Sequence, residues 1–312
     1  MSPQQAATLH ITNGDAVVYL FKKAGVVGTH LPWRDVLHEG PVASGGTLEQ
    51  LSRLRAEYLA TRGFGSPIKL LHDFASRDAT FRRAPEFPEI VLWFEHDLFD
   101  QLQLLQILVE LNAMRLEPGS VSLIQSDAYL GTMTADELFA LFPRRRTVTD
   151  ALYVQASCAW DALCASQPQA LFEASMRDVH GLPHLRAALR RLCQEFPWSG
   201  DGLSRSQRHA LQAVAAGAAR PDELFRRAQA REEAPFLGDL AFAAILRDLQ
   251  TGTAALLEGE EGALVPTARG RSILAGAEDW LQTEALDRWI GGMHLTSDGP
   301  FRWDDDASRF AP

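Results

Sequence analysis

Short apolar runs that end on polar residues recur through the first half of the chain. Residues 8–12, 90–94 and 121–125 are rich in apolar and β-branched residues and have the length of strands. Apolar residues at helical spacing follow the first two runs, at 16–23 and 98–114. Strands that alternate with helices predict a largely parallel sheet with helices on both faces.

Two more segments of this half show the same helical spacing. One covers residues 48–60, and the other covers 134–142, where Thr134 and Glu137 have the spacing of a capping box. A weaker apolar stretch at 68–72 is interpreted as a further strand. The predicted fold class is therefore α/β.

The length of 312 residues exceeds what one hydrophobic core usually supports, which predicts more than one domain. We expect an α/β domain over 1–148, which carries the site, and a helical connector over 149–199, which is rich in Ala and Leu. The Pro-Trp-Ser-Gly-Asp-Gly stretch at 197–202 is typical of a linker. A third domain then covers 200–312.

The pattern of this third domain is typical of a winged helix. Three helices, two short runs that could pair as a hairpin, and a last helix are predicted in turn at 203–214, 221–230, 236–249, 254–257 with 263–265, and 267–275. Ser204 is the expected cap of the first helix. The tail, 287–295 and 300–306, predicts two short strands joined by 296–299 and packed back on the rest of the chain.

Charge and cysteine content narrow the function classes. A formal net charge of −10 argues against a protein that coats nucleic acid, since such binding needs many Lys and Arg. The three cysteines contain no Cys-x-x-Cys pair, which favours reduced thiols. The first ten residues lack the pattern of a signal peptide, and no apolar run approaches the length of a membrane span. A cytoplasmic location without a membrane partner is the expectation.

The strongest chemical signal is Glu95-His96-Asp97, directly after the strand at 90–94. Ligands of open α/β sheets bind beyond the carboxyl ends of the strands. Because neighbouring residues of an extended segment point to opposite faces, Glu95 and Asp97 are expected on one side and His96 on the other. Asp97 also suits the N-cap of the next helix, an ordinary structural role.

His38 and Glu39 form a second cluster in an irregular loop. Together with Glu95 and His96 they supply the nitrogen and carboxylate ligands that Zn²⁺, Mn²⁺ or Fe²⁺ accept, although no metal-binding spacing is present. Without a metal, the same four residues are candidates for general acid and base catalysis. Alternatively, His38 and Glu39 only bond the backbone of their own loop.

The remaining candidates are ligand-binding residues. Trp33 and Arg34 offer an aromatic face and a guanidinium to a planar or phosphorylated ligand, or Arg34 forms an ion pair with Asp35 or Glu95. Asp15 is expected to cap the first helix, and no dinucleotide fingerprint is present. The full set of candidate ligand-binding residues is Asn13, Asp15, Trp33, Arg34, Asp35, Asp97, Asp100, Gln101 and Asp127.

Several of these motifs resemble one known family. HITNGD at 10–15, LPWRDVLHEGPV at 31–42 and LWFEHDLFDQLQLLQ at 92–106 are similar to the bacterial domain-of-unknown-function family eighteen thirty-five. EAPFLGD at 233–239 and DRWIGGMHL at 287–295 resemble the C-terminal half of its longer members. The resemblance implies the domain organisation of those members; no activity or catalytic residue is carried over from it.

The leading hypothesis is an enzyme-like pocket at the strand ends that binds a small polar or phosphorylated ligand, as a hydrolase or group transferase. One alternative is a ligand-responsive regulator that binds DNA through the winged-helix-like domain. The expected recognition helix, 236–249, is apolar and carries one basic residue, Arg247, which disfavours groove reading. A third hypothesis is an adaptor for a protein partner or for a second copy of the chain.

Overall fold

The computed structural model describes residues 8–43, 45–217, 220–260, 262–298 and 301–311. Its strands, numbered in chain order, are β1 (Thr8–Thr12), β2 (Thr29–Pro32), β3 (Gly40–Pro41), β4 (Glu89–Glu95), β5 (Val121–Ser126), β6 (Arg146–Thr147), β7 (Leu257–Glu258), β8 (Val265–Pro266), β9 (Asp287–Gly291), β10 (Met293–Thr296), β11 (Trp303–Asp304) and β12 (Arg309–Phe310).

The helices are numbered in the same way. They are α1 (Asp15–Ala24), α2 (Leu48–Thr61), α3 (Pro67–Phe81), α4 (Leu98–Ala113), α5 (Ala135–Leu141), α6 (Asp150–Cys164), α7 (Pro168–Ser175), α8 (Leu185–Cys193), α9 (Arg205–Ala215), α10 (Pro221–Gln229), α11 (Asp239–Gln250) and α12 (Ala268–Leu274). Within the described residues, no helix combines the length and apolar character that crossing a membrane requires.

The main sheet has the strand order β2-β1-β4-β5-β6. The first four strands are parallel, and β6 pairs antiparallel with β5 at one edge. The chain passes from β1 outward to β2 on one side, and from β4 outward to β5 on the other. The carboxyl ends of β1 and β4 therefore meet at a topological switch point, where open α/β sheets form a ligand crevice.

Helices cover both faces of this sheet, as predicted. Ile90, Leu92 and Phe94 of β4 pack on one face into the main core, to which α4, α6 and α8 contribute. Val91 and Trp93 point to the opposite face, where they pack with buried side chains of α1 and α5. This alternation fixes Glu95, which ends the strand, on the same side as Val91 and Trp93.

The stretch predicted as a strand at 68–72 is wrong, because it lies inside α3. Ser66 caps this helix by accepting a hydrogen bond from the Lys69 amide, and Pro67 occupies its first position. The buried Phe74 and Phe81 continue the helical spacing. A short apolar run is ambiguous between strand and helix, and here the start signals decide for the helix.

The C-terminal elements follow the predicted order. Helices α9, α10 and α11, the β7–β8 hairpin and α12 share a second hydrophobic core, which includes Leu211, Leu224, Phe242 and Ile273. Ser204 caps α9 in a capping box with Gln207, and the name winged helix stays a prediction for this arrangement.

The predicted linker and tail pack onto the rest of the molecule. The Trp303 amide donates to the Pro197 carbonyl at 2.8 Å, and Asp201 is buried beside Arg208. Strand β9 pairs in parallel with β3, so the tail does pack back on the N-terminal region. The tail forms four strands where two are predicted, because β9 pairs with β10 and β11 pairs with β12. Residue 299 of the predicted joining loop and residue 300 of the second predicted strand lie outside the described residues.

Candidate active site

Three carboxylates meet where β4 ends and α4 begins. Glu95 is the last residue of β4, Asp97 is the N-cap of α4, and Asp100 lies in the first turn of that helix. One oxygen atom from each of the three lies within 4.8 Å of the others. Their exposed fractions are 3%, 4% and 0%. The predicted placement of Glu95 and Asp97 on a common side is confirmed.

Neutral groups hold this acidic cluster in place. Asp100 accepts hydrogen bonds from the Glu95 amide at 2.7 Å and from the Asn13 side-chain amide at 2.8 Å. Asp97 accepts from the Asp100 amide at 3.1 Å, and Glu95 accepts from the Leu130 amide at 2.8 Å. Asn13 follows β1, so the contact joins the two strands on either side of the switch point.

Burial disfavours the ionised forms of these groups. It raises the pKa of Glu95 to about 6 and the pKa of Asp97 to about 7. For Asp100, burial and then the neighbouring Asp97 and Glu95 raise the pKa well above its ordinary value. Buried carboxylates without a compensating charge are costly, and such arrangements are typical of functional sites.

The cluster opens into a cavity of about 340 Å³. Its walls come from the strand ends, from the loop after β2, and from the first turn of α11. The lining residues are Asn13, Val36, His38, Phe64, Glu95, Asp97, Phe99, Asp100, Tyr129, Pro235, Phe236, Leu237, Gly238, Asp239, Leu240 and Ala241. The volume is that of a small-molecule site.

His38 faces the same cavity without a hydrogen-bond partner. It is 4% exposed, and neither ring nitrogen is bonded to any described residue. Its ring packs edge-on against Phe236, with the ring centroids 5.0 Å apart. Burial lowers the pKa of His38 to about 3, so the imidazole is neutral. Unpaired buried polar groups are rare in folded proteins, and no described residue uses the hydrogen-bonding capacity of this imidazole.

The four candidate metal ligands His38, Glu39, Glu95 and His96 do not come together as one group; of the four, Glu95 alone belongs to a cluster with the spacing of a metal site in the described residues. The one group in the described chain with the spacing of a metal site is Glu95, Asp97 and Asp100. Glu39 instead accepts a hydrogen bond from Arg62 at 3.2 Å. The strand geometry turns His96 away from the cluster, because it lies between two residues that share a side.

Three other predicted residues lie outside the cavity lining. His96 packs beside Tyr129 and His184, with ring centroids 5.0 and 6.0 Å away. Asp127 lies 3.4 Å from His184 and is 95% exposed, so it does not join the carboxylates. Gln101 is buried and donates to the Glu95 carbonyl at 2.6 Å, so it bonds the backbone at the end of β4.

Trp33, Arg34 and Asp35 lie in three different environments. Trp33 is 1% exposed and donates to Gln106 at 2.7 Å. Asp35 is fully buried against Arg55, and both predicted ion pairs of Arg34 are wrong. Arg34 instead pairs with Asp15 at 2.6 Å. The prediction that Asp15 caps α1 is wrong. The N-cap is Gly14, which has no side chain to bond the helix, and Asp15 is the first residue of α1.

The prediction missed the contribution of the C-terminal half. Phe236 and Asp239 line the cavity, and the Tyr129 hydroxyl donates to the Pro235 carbonyl at 2.8 Å. The signal was present in EAPFLGD at 233–239, which is polar at both ends and directly precedes a helix. Nothing in its local pattern indicates that the helix it enters packs at the strand ends.

Helix α11 is also the expected recognition helix of the DNA-binding alternative. Its Asp248 accepts two hydrogen bonds from Arg62, at 2.8 and 2.7 Å, and its Arg247 donates to the Arg62 carbonyl at 2.8 Å. The basic residue of this helix is thus engaged with the N-terminal region. DNA binding and protein adaptor roles stay predictions.

The sequence matches no protein-family model, and no curated protein matches it. The resemblance to family eighteen thirty-five therefore also stays a prediction.

Proposed function

We propose that this protein is an enzyme that holds a hard divalent cation, Mg²⁺ or Mn²⁺, on Glu95, Asp97 and Asp100, and hydrolyses or transfers a phosphoryl group of a small ligand. The observation that carries the proposal is the meeting of three buried carboxylates at the switch point of the sheet. Ligand sets made only of oxygen favour Mg²⁺, Mn²⁺ or Ca²⁺ over Zn²⁺.

The cation is what makes a phosphorylated ligand compatible with this cavity. Glu95, Asp97, Asp100 and Asp239 line it, and His38 is neutral there, so a bare phosphate would meet repulsion. A divalent cation neutralises the carboxylates and leaves coordination positions for phosphate oxygens, as is usual for Mg²⁺.

The chemistry then assigns a role to His38. A water oxygen attacks phosphorus, and the bond from phosphorus to the leaving oxygen breaks with its electron pair on that oxygen. His38 accepts the proton lost by the attacking water and then gives that proton to the leaving oxygen, which returns the imidazole to its neutral form. In a transfer reaction an acceptor hydroxyl replaces the water. The phosphate anion, bound beside the imidazole, would raise the pKa of His38 from the low value that burial gives it.

Thermal unfolding provides the first test. Mg²⁺ or Mn²⁺ at a hundredfold excess over its dissociation constant should stabilise the protein by about 2.7 kcal/mol. For a domain of about 150–250 residues, the midpoint temperature of thermal unfolding then rises by roughly 5–10 °C. A midpoint that does not change with millimolar Mg²⁺, Mn²⁺ or Ca²⁺ would contradict the proposal.

Turnover provides the second test. Phosphate release from a panel of phosphate mono- and diesters should require Mg²⁺ or Mn²⁺, stop on chelation, and fall at least about a hundredfold in Asp97→Asn. Asp150→Asn, the same change at an exposed first-turn position of α6, is the control and should retain activity. Turnover that survives both chelation and Asp97→Asn would exclude the assigned site.

A further inference from the structure

A second cavity of about 450 Å³ lies directly beside the active-site cavity. The two have six lining residues in common, which places the second cavity next to the carboxylates. The shared residues are Asn13, Val36, Phe64, Phe99, Asp239 and Leu240. Together the two cavities are much larger than inorganic phosphate or a small phosphate ester needs.

The second cavity has apolar and aromatic walls. Leu59, Phe64, Leu70, Phe74 and Phe99 all line it. Flat rings and branched aliphatic side chains of this kind suit a planar, weakly polar group. A sugar phosphate alone would leave this surface unused.

Charged pairs border these apolar walls. Arg34 pairs with Asp15 at 2.6 Å, and Lys69 pairs with Asp73 at 2.5 Å. Each basic group is thus already balanced by a carboxylate. The second cavity is therefore unsuited to a second phosphate and suits the uncharged end of the ligand.

Arg34 has an unusual backbone conformation at this border. Its φ of 64° lies in the left-handed region, which is unfavourable for a residue with a side chain. Its Nε and Nη2 donate to Asp15, which leaves Nη1 without a partner in the described part of the chain. A planar guanidinium held in this way can stack on a ring and donate to its edge.

We propose that the ligand is a nucleotide. Its phosphate lies at the cation on Glu95, Asp97 and Asp100, and its base lies in the second cavity between the aromatic wall and Arg34. This inference rests on the proposed function, because it takes the phosphate position from it.

The test compares ligands that differ only in the base. Calorimetric titrations with Mg²⁺ present would use the 5′-mono- and diphosphates of adenosine, guanosine, cytidine and uridine, with ribose 5-phosphate and inorganic pyrophosphate as references. At least one nucleotide should bind tenfold or more tightly than both references. If every nucleotide binds no tighter than the references, the inference is overturned.

Two variants locate the base. Arg34→Gly removes the guanidinium and accepts the left-handed backbone, and Leu70→Trp fills the second cavity. Both should weaken nucleotide binding at least tenfold. Arg115→Gly is the matched control, because Arg115 also has a left-handed φ, of 51°, but follows the far end of α4. Equal losses in Arg34→Gly and Arg115→Gly, or unchanged binding in both cavity variants, would overturn the assignment.

A parallel titration with Mn²⁺ alone separates this inference from the proposed function. Mn²⁺ should bind the wild type, Arg34→Gly and Leu70→Trp equally. Mn²⁺ binding without nucleotide preference rejects the nucleotide and leaves the metal site standing. No Mn²⁺ binding to the wild type rejects the proposed function and this inference with it.

Discussion

The variant Asp97→Asn should be more stable than the wild type at pH 8 when no metal is present, by on the order of 2 kcal/mol. Burial raises the pKa of Asp97 from 3.8 to about 7, and Glu95 adds to this rise. At pH 8 the wild type therefore holds an ionised carboxylate in a buried, acidic place. Asparagine removes that charge and remains a good helix cap, since the oxygen that accepts from Asp100 is kept.

The sign of the pH dependence follows from linkage. A carboxyl whose pKa is higher in the folded chain stabilises the fold fully below its unfolded value, near 4, and this contribution is lost as the pH rises through about 7. His10 and His38, whose pKa values burial lowers to about 4 and about 3, are neutral in both states well above their ordinary value of 6.5. Both proteins contain these histidines, so the difference between the two proteins arises from Asp97 and grows between about pH 4 and 7.

Urea unfolding of both proteins across pH 3 to 9, with chelator, measures this difference. The two curves should nearly coincide below pH 4, separate between about pH 4 and 7, and keep a constant separation above that. Adding Mn²⁺ should reverse their order at pH 8, because only the wild type keeps all three ligands. The exposed control Asp150→Asn should follow the wild type at every pH. If the free energies of unfolding of wild type and Asp97→Asn keep the same difference at every pH, burial does not raise the pKa of Asp97.

Arg55→Met is expected to destabilise the protein by about 3–5 kcal/mol. Arg55 of α2 is fully buried and donates to the Asp35 carboxylate at 3.0 Å. It also donates to the carbonyls of Val36 and Glu39, at 2.6 and 2.8 Å. One guanidinium therefore holds the loop that carries His38. Without it, a buried carboxylate and two buried carbonyls lose their partners.

The matched control is Arg83→Met. Arg83 pairs with Glu86 at 2.8 Å, but both side chains are more than half exposed, so this change should leave the stability nearly unchanged. In the double variant Arg55→Met, Asp35→Leu, removal of the stranded charge should restore part of the lost stability. If Arg55→Met costs no more than Arg83→Met, the loop is held by other contacts.

The α/β half of the fold could be predicted because its signals are local. Strands β1, β4 and β5 are short segments rich in apolar and β-branched residues, and α4 and α5 begin at the predicted caps Asp97 and Thr134. The strand prediction at 68–72 is wrong because a short apolar run fits the period of a strand or of a helix. Ser66 and Pro67 are the local signals that favour the helix.

Only part of the site could be predicted. Glu95 and Asp97 were identified from their place after a strand, and Asp100 from its place in the following turn. Glu39 pairs with Arg62, and Asp35 pairs with Arg55, so neither carboxylate joins the cluster. Both pairs depend on where helix α2 packs, which no local pattern reveals. The wall from Phe236 to Ala241 depends on how α11 packs against the strand ends, which is a long-range contact.

Soaking crystals of the wild type with MnCl₂ and recording anomalous scattering would test the metal site most directly. The account predicts one strong peak at about 2.0–2.4 Å from oxygens of Glu95, Asp97 and Asp100, and no such peak in Asp97→Asn. Peaks confined to surface carboxylates, with the three buried ones unliganded, would contradict it.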